Sequence, residues 1–313
     1  DIWDWDNPSA PILADLPNGK KVIMQVTKQS YVYTFDRENG EPIWPIEELP
    51  VPAGDVPGEW YAPTQPFPTK PAGFDRQGFT EDDLIDFTPE LREKALLAVA
   101  DFRLSPSLYS PPSLKDAADG TKGTLSLPSA TGGANWEGSA IDPETGMLYI
   151  PSRTTISVLS VEKDESSDVA FSQSYGVRVP RVNGLPIVKP PYGRITAIDM
   201  NSGDHAWMIA NADTPERIAN NPALEGVDLP RTGIETKSGI LLTKTLLFAG
   251  EGVGGGPTLR AHDKMTGEIL AEIELPNAQT GVPMTYEHND KQYLVMVVSG
   301  GGTAAEIVAY ALP

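Results

Sequence analysis

Carboxylates are concentrated in Asp-Ile-Trp-Asp-Trp-Asp, the segment with which the sequence opens. Asp4 and Asp6 are two residues apart, so they project to the same side of the backbone if the segment is extended, and Asp1 is a further candidate on that face. A carboxylate can act as a general base, and neighbouring carboxylates are suited to holding a divalent cation. The pattern predicts either a site of this kind or a solvated end of the chain.

Three more residues carry polar or aromatic side chains that could take part in catalysis or ligand binding. Lys28 lies in Val-Thr-Lys-Gln-Ser-Tyr, among strand-like residues and with no acid close in sequence. It is either an ordinary exposed lysine or a fixed ammonium that stabilises negative charge developing on a reacting oxygen. Asn135 and Trp136 follow two glycines, a pattern that is also typical of a turn leading into a core tryptophan.

A recurring hairpin pattern indicates which elements position these residues. Each copy has a β-type run, an Asp, a Gly four residues later and a second β-type run, over 33–44, 139–150, 196–207 and 260–271. The Asp caps the turn amides and the Gly supplies the positive φ that the turn requires. The spacing of the later copies suits propeller blades, which run roughly 40–50 residues before insertions.

The segment 46–125 interrupts this pattern. It is rich in proline at both ends and helical in its centre, where Thr80 and Thr88 are predicted N-caps and Pro89 is predicted at the first helical position. Long insertions on a repeat scaffold tend to lie on the functional face. We predict a single partial propeller domain over 1–313, with 46–125 as a loop and helix insertion within it.

Composition excludes several classes of function. A net charge of −19 disfavours binding to nucleic acid or to an anionic membrane surface, and no apolar run reaches the roughly 20 residues that cross a bilayer. The absence of cysteine excludes disulfides, cysteine nucleophiles and covalent haem attachment within this sequence. His205, His262 and His288 lie in or next to predicted turns, and we expect them at the surface.

Five segments together resemble the pyrroloquinoline-quinone (PQQ)-dependent dehydrogenases, most nearly the glucose and quinate dehydrogenase branch. They are DIWDWDNPSAPILAD, TKQSYVYTFDRENGE, YAPTQPF, GGANWEGSAIDPETGMLYIP and PMTYEHNDKQYLVMVVSGGG…IVAYALP. The resemblance follows the family's order from the first residue to the last. It implies an all-β fold, with about four to five blades of an eight-bladed β-propeller. The chain would then be the C-terminal half of the propeller, with the N-terminal half as its partner.

The same resemblance implies roles for the residues above. Asp4 corresponds to the catalytic aspartate, and Asp4 and Asp6 would hold a divalent cation, with calcium favoured and magnesium or a lanthanide as alternatives. Lys28 corresponds to a lysine against the quinone oxygens of PQQ, so it would be both catalytic and cofactor-binding. Asn135 and Trp136 correspond to a cofactor-binding element.

The insertion supplies candidate substrate residues. Trp60, Tyr61, Thr64 and Gln65 combine aromatic surface with hydroxyl and amide groups, a mixture suited to a sugar or polyol. We expect them in a cap above the propeller axis, near Asp4. The glycine cluster at 299–302 lacks the tryptophan that alcohol-type relatives carry there, and this favours a sugar or polyol substrate.

The resemblance therefore implies a periplasmic oxidoreductase, attached to the membrane if at all through the missing N-terminal part. It would oxidise a sugar, cyclitol or polyol hydroxyl by hydride transfer to PQQ and pass electrons to a separate quinone or cytochrome acceptor. The alternatives are a PQQ-dependent dehydrogenase of simple alcohols, a non-catalytic propeller scaffold, and a half propeller that is inert alone. Asp4, Lys28 and Asn135 separate enzyme from scaffold, since a scaffold has no reason to keep this trio.

Overall fold

The structure is a computed structural model that describes residues 2–311, and short strands dominate it. The first elements are β1 (Ile12–Asp15), β2 (Lys21–Val26), β3 (Val32–Asp36), β4 (Ile46–Pro50), β5 (Thr64–Pro68), α1 (Pro89–Val99), β6 (Arg103–Leu104), β7 (Ser113–Leu114) and β8 (Thr124–Ser126). The next are β9 (Ala140–Asp142), β10 (Met147–Arg153), β11 (Ser157–Lys163), β12 (Phe171–Gln173), β13 (Arg181–Val182), β14 (Leu185–Pro186), β15 (Gly193–Asp199) and β16 (Asp204–Ala210). The last are α2 (Glu216–Ala219), β17 (Ile240–Leu242), β18 (Leu246–Gly250), β19 (Thr258–Asp263), β20 (Ile269–Glu274), β21 (Met284–His288), β22 (Lys291–Gly300) and β23 (Thr303–Ala311). Single 3-10 turns lie at Glu81–Asp83 and Pro222–Leu224.

Four antiparallel sheets within residues 2–311 have the form of propeller blades. Their strand orders are β1-β2-β3, β16-β15-β10-β9, β17-β18-β19-β20 and β21-β22-β23. This confirms the all-β propeller prediction at the lower end of the predicted number of blades. Neither helix in the described chain has the length and apolar character needed to cross a bilayer.

The four predicted hairpin turns are present and share one hydrogen-bond pattern. The Gly N–H donates to the carbonyl of the preceding Asp at 2.8 Å in the first and fourth turns and at 2.7 Å in the other two. These glycines are Gly40, Gly146, Gly203 and Gly267, with φ between 78° and 80°. In each turn the Asp carboxylate also accepts the amide two residues on. The repeated Asp and Gly therefore form the tight turns that connect neighbouring antiparallel strands.

Neighbouring blade sheets pack together through buried apolar side chains. Residues from consecutive sheets share clusters, with Met24 beside Leu148, Ile195 beside Leu247, and Leu259 beside Met296. A charge pair also links two blades, because Lys264 Nζ lies 2.6 Å from Asp142 Oδ2 and both residues are buried. Each blade sheet therefore shares a buried apolar cluster with the next one along the chain.

The part of the segment 46–125 that includes α1 joins later residues in a separate core. Helix α1 begins at Pro89 after the N-cap Thr88, whose hydroxyl accepts the Leu91 amide at 3.2 Å, as predicted. Thr80 is also an N-cap, as predicted, but the helix it precedes is the 3-10 turn at Glu81–Asp83. Strands β6 and β7 pair in parallel with β8 and β11, which is unlike a blade. Leu91 and Val99 pack in one cluster with Leu185 and Tyr192, so this core combines the insertion with residues after β10.

The surface prediction for one histidine is wrong. His262 is only 1% exposed, because it lies on β19, a central strand of the third blade. Its Nδ1 lies 2.9 Å from the Gly267 carbonyl oxygen. Burial lowers the pKa of His262. His205 and His288 are exposed, as predicted.

Candidate functional site

The opening segment divides its side chains between core and solvent. The Trp3 and Trp5 rings are buried and stack with centroids 5.5 Å apart, and both meet the edge of Tyr109. The side chains of Asp4 and Asp6 are exposed. Asp4 has φ of 62°, a left-handed conformation that Asp adopts more readily than most residues. The buried indoles thus hold the backbone that presents the two carboxylates, so the segment is not a fully solvated end of the chain. Asp1 lies outside the described residues.

Lys28 is buried and points at these acids. It follows β2 in a tight turn in which the Ser30 amide donates to the Thr27 carbonyl at 3.1 Å. The residue is 6% exposed, which excludes the ordinary exposed lysine considered above. Its Nζ lies 2.5 Å from Asp6 Oδ1 and 3.5 Å from Asp4 Oδ1. It also donates to the Asp4 carbonyl at 2.8 Å. The Lys28 ammonium lowers the pKa of Asp6 and so keeps that carboxylate ionised.

The loop that contains Asn135 lies directly on Lys28. The Gly133 amide donates to the Lys28 carbonyl at 3.0 Å. A Cβ on Gly132, where φ is +78°, would lie 2.5 Å from Lys28 Cγ. Only glycine allows this approach, because a side chain would occupy the space of the lysine stem. The structure therefore brings the Asn135 loop to the Lys28 side chain across a long sequence separation.

Asn135 and Trp136 occupy different environments. The Asn135 amide donates to the Thr131 carbonyl at 2.8 Å, and its carbonyl oxygen accepts the Trp136 amide at 2.8 Å. The Asn135 main-chain carbonyl accepts the Ser9 hydroxyl. Trp136 is 48% exposed, so the alternative of a turn that leads into a core tryptophan is wrong. Its indole offers a flat apolar surface next to the loop.

A second charged group lies behind the same loop. Glu137, Arg153 and Lys237 line one small cavity together with Asn135. Burial raises the pKa of Glu137 and lowers the pKa of both cations, and the Lys28 charge also lowers that of Lys237. Sequence reasoning missed this group. The available signal was an arginine that ends the apolar strand Met-Leu-Tyr-Ile-Pro-Ser-Arg.

The predicted substrate residues are only partly close to Asp4. A cavity of about 250 Å³ is lined by Asp4 and Ile2, and Ile2 also lines the neighbouring cavity that contains Tyr61. The Tyr61 hydroxyl accepts the Val56 amide at 3.2 Å. Trp60 is exposed to solvent. Thr64 and Gln65 are half-buried in β5, which pairs with β4.

The described residues supply part of a cation site. Asp4 and Asp6 offer two carboxylates, the hard oxygen donors that calcium and magnesium prefer. Within residues 2–311 no group of three or more His, Cys, Asp or Glu side chains is arranged to hold a metal ion. The two aspartates therefore fit such a cation in donor chemistry, and its remaining oxygen ligands would come from outside this group.

The sequence is similar to one family of known proteins along nearly its whole length. The model of the family described as "PQQ: Glucose/ethanol/alcohol dehydrogenase, beta-propeller domain" matches residues 1–294. The chain is 28% identical to the quinate/shikimate dehydrogenase (quinone) of Acinetobacter baylyi, over 100% of this chain and 41% of that protein. It is 31% identical to the quinoprotein glucose dehydrogenase of Escherichia coli, over 100% of this chain and 42% of that protein.

A solved structure shows the same fold. The quinohemoprotein alcohol dehydrogenase of Comamonas testosteroni superposes with a TM-score of 0.53 at 20% identity, covering 95% of this chain and 35% of that one. The chain spans less than half the length of the relatives it matches.

Proposed function

Because the chain belongs to the family of PQQ-dependent dehydrogenases, we propose that the complete protein oxidises a hydroxyl group of a sugar, cyclitol or other polyol to a carbonyl. Electrons leave through a separate quinone or cytochrome acceptor, and the protein acts in the periplasm. The N-terminal half of the propeller is supplied by sequence outside this chain. The observation that carries the proposal is the buried Lys28, held between the Asp4–Asp6 segment and the Gly132–Gly133 backbone.

The residues present fit PQQ, a planar anion that carries carboxylates, quinone oxygens and a ring N–H. Lys28, Arg153 and Lys237 supply positive charge around one loop. Glu137 Oε1 is buried and has no hydrogen-bond partner among the described residues, so it leaves an acceptor open. Bound PQQ would supply the two-electron acceptor for the substrate's hydride.

Each protein group then has a defined task. Asp4 takes the proton of the substrate hydroxyl as general base, and its exposed carboxylate lines the cavity open to substrate. With PQQ bound, Lys28 would supply positive charge that stabilises the negative charge developing on the quinone. Asp4 and Asp6 contribute to a divalent cation site, with calcium as the favoured ion. Asn135 and Trp136 would bind the cofactor, and Trp60, Tyr61, Thr64 and Gln65 would bind the substrate.

The test is a dye-reduction assay on the full-length protein supplied with PQQ and Ca²⁺. We expect turnover with sugars, cyclitols and polyols that exceeds turnover with ethanol and methanol. Asp4→Asn should lower kcat by at least about a hundredfold, as expected for loss of a general base. Asp228→Asn, at an exposed position away from the site, serves as the matched control.

The outcomes separate the alternatives. Turnover restricted to simple alcohols would overturn the proposed substrate class. A protein that neither binds PQQ nor reduces dye would behave as a scaffold. An Asp4→Asn variant with parental kcat would remove Asp4 from the mechanism.

A further inference from the structure

One buried carboxylate has no part in the proposed function. The Asp75 side chain is 1% exposed and pairs with Arg194, whose Nη2 lies 3.2 Å from Asp75 Oδ1. The same oxygen accepts the Thr154 hydroxyl and the Arg76 amide, each at 2.7 Å. The other carboxylate oxygen, Oδ2, accepts the Ser152 hydroxyl at 2.9 Å. Four donors therefore converge on one buried carboxylate, and a buried polar network of this kind is rigid when its members are paired.

This carboxylate is connected to the backbone of Lys28 through the end of β10. The two hydroxyls that Asp75 accepts come from the residues on either side of Arg153, the last residue of that strand. The Arg153 amide donates to the Gly133 carbonyl at 2.9 Å, and the Gly133 amide donates to the Lys28 carbonyl at 3.0 Å. Two successive main-chain hydrogen bonds thus lead from the segment that Asp75 holds to Lys28.

A second connection runs through the residue that precedes Asp75. The Phe74 amide donates to the Ser30 carbonyl at 2.9 Å, and Ser30 belongs to the tight turn that carries Lys28. A Cβ on Gly133 would overlap Ser30 Oγ and would lie 3.5 Å from Asp75 Cβ. The Lys28 turn, the Gly133 loop and Asp75 therefore pack against one another without space for a further methyl group.

We propose that Asp75 is a positioning residue, which holds the end of β10 and the turn that carries Lys28 and so fixes the Lys28 ammonium beside Asp4 and Asp6. This inference rests on the proposed function and deepens it, because it names the group that keeps the charge of Lys28 in place. A buried ion pair adds little net stability, since the cost of desolvation offsets the attraction. Its effect on position matters more, because a displacement of about 1 Å can cost about a hundredfold in rate.

Two variants of the full-length protein weaken this network to different degrees. Asp75→Asn keeps the shape of the side chain but leaves the Arg194 guanidinium buried without a counter-charge. Thr154→Val removes one hydroxyl donor to Asp75 and keeps the branched shape of the side chain. The thermal midpoint of each variant is measured first, and every comparison is made well below the lowest midpoint.

The matched controls come from a second buried ion pair. Asp142 Oδ2 lies 2.6 Å from Lys264 Nζ and also accepts a hydroxyl, that of Thr145, at 2.8 Å. Asp142 pairs with Met147, the first residue of β10, so this ion pair lies at the opposite end of that strand from Arg153. Asp142→Asn and Thr145→Val should therefore lower stability in the same way without disturbing the site.

Two readouts report on the position of Lys28. The first is kcat for dye reduction with PQQ and Ca²⁺ at saturation, which Asp75→Asn should lower about ten- to a hundredfold. The second is the rate at which acetic anhydride modifies Lys28 in the apoprotein, measured by mass spectrometry relative to the largely exposed Lys244. A buried amine reacts when its surroundings open, so Asp75→Asn should raise this rate about tenfold. Thr154→Val should change both quantities in the same directions but less, and the controls should leave both unchanged.

The outcomes separate a positioning role from a purely structural one. Parental kcat and parental acetylation of Lys28 in Asp75→Asn, or equal changes in Asp142→Asn, would overturn the inference. If Asp75→Asn does not fold, the same comparison between Thr154→Val and Thr145→Val decides it. If the parent protein oxidises no hydroxyl compound, the proposed function fails, and the acetylation rates still decide whether Asp75 holds Lys28 in place.

Discussion

At the scale of single residues, the site depends on the burial of the Lys28 side chain, which the sequence around Lys28 does not predict. Lys28 looks like a strand lysine in the sequence, yet it is 6% exposed and contacts the Asp4–Asp6 segment. The spacing predicted that Asp4 and Asp6 project to one side of an extended segment. Asp4 instead has a left-handed backbone, and both carboxylates nevertheless lie beside Lys28 Nζ. The pairing of Asp6 with Lys28 could not be predicted, because it depends on how the turn after β2 packs against residues that lie more than 20 positions earlier in the sequence.

Glu137 offers a test at this scale that does not depend on turnover. Burial raises its pKa above the ordinary value of 4.5. As pH rises, the unfolded state therefore loses this proton first, and the folded state becomes relatively less stable between the two pKa values. Glu137→Gln removes that loss, so the thermal stability of the variant relative to the parent should increase as the pH rises above 4.5.

The matched control is Glu93→Gln, at an exposed position on α1. Its thermal midpoint should follow that of the parent at every pH. A Glu137→Gln variant whose midpoint also follows the parent across this range would show that Glu137 is not held in a desolvated site.

At the scale of elements, local turn chemistry was predictable and long-range pairing was not. The Asp and Gly of each hairpin are four residues apart and determine the turn between them, so all four hairpins were recognised. Helix α1 was predicted from Thr88 and Pro89 for the same reason. The parallel pairs of β6 with β8 and of β7 with β11 join two-residue strands to distant partners, and such strands leave no periodic signal.

The loop that contains Asn135 provides a prediction for an element. Gly132→Ala should place a methyl group 2.5 Å from Lys28 Cγ, in addition to the strain of a positive φ. Gly138→Ala shares a positive φ of 73° in the same loop but meets nothing within 4 Å. The control should therefore lose about 1–2 kcal/mol of stability from backbone strain alone.

Gly132→Ala should lose more stability than the control and should also weaken PQQ binding, because it displaces Lys28. Thermal midpoints and PQQ titrations of the two full-length variants measure this difference. Equal effects of the two substitutions would contradict a close contact between this loop and the lysine.

At the scale of the whole molecule, the last blade sheet leaves large apolar side chains exposed. Ile307 on β23 is 76% exposed, and Met284 and Tyr286 on β21 are also uncovered. Strand β23 pairs with β22 and forms an edge of its sheet. Exposed apolar faces and edges of this kind are typical of surfaces that another sheet covers. This agrees with the proposal that further propeller blades come from sequence outside this chain.

The covering of that face can be tested in the full-length protein. Ile307→Glu should lower the thermal midpoint by several degrees, because a charge would be buried against the neighbouring blade. Leu97→Glu, on helix α1 with the same 76% exposure in this chain, should have little effect. Equal midpoints for the two variants would show that Ile307 faces solvent in the complete protein.

The central claim is that Lys28 stabilises charge on a reacting quinone, and Lys28→Ala tests it most directly. In the full-length protein saturated with PQQ and Ca²⁺, kcat should fall by about two to three orders of magnitude, since one preorganised charge contributes roughly 3–4 kcal/mol. The affinity for PQQ should fall less, because the interaction strengthens as negative charge develops. Lys244→Ala should leave both quantities unchanged. A Lys28→Ala protein that binds PQQ and reduces dye at the parental rate would contradict the account.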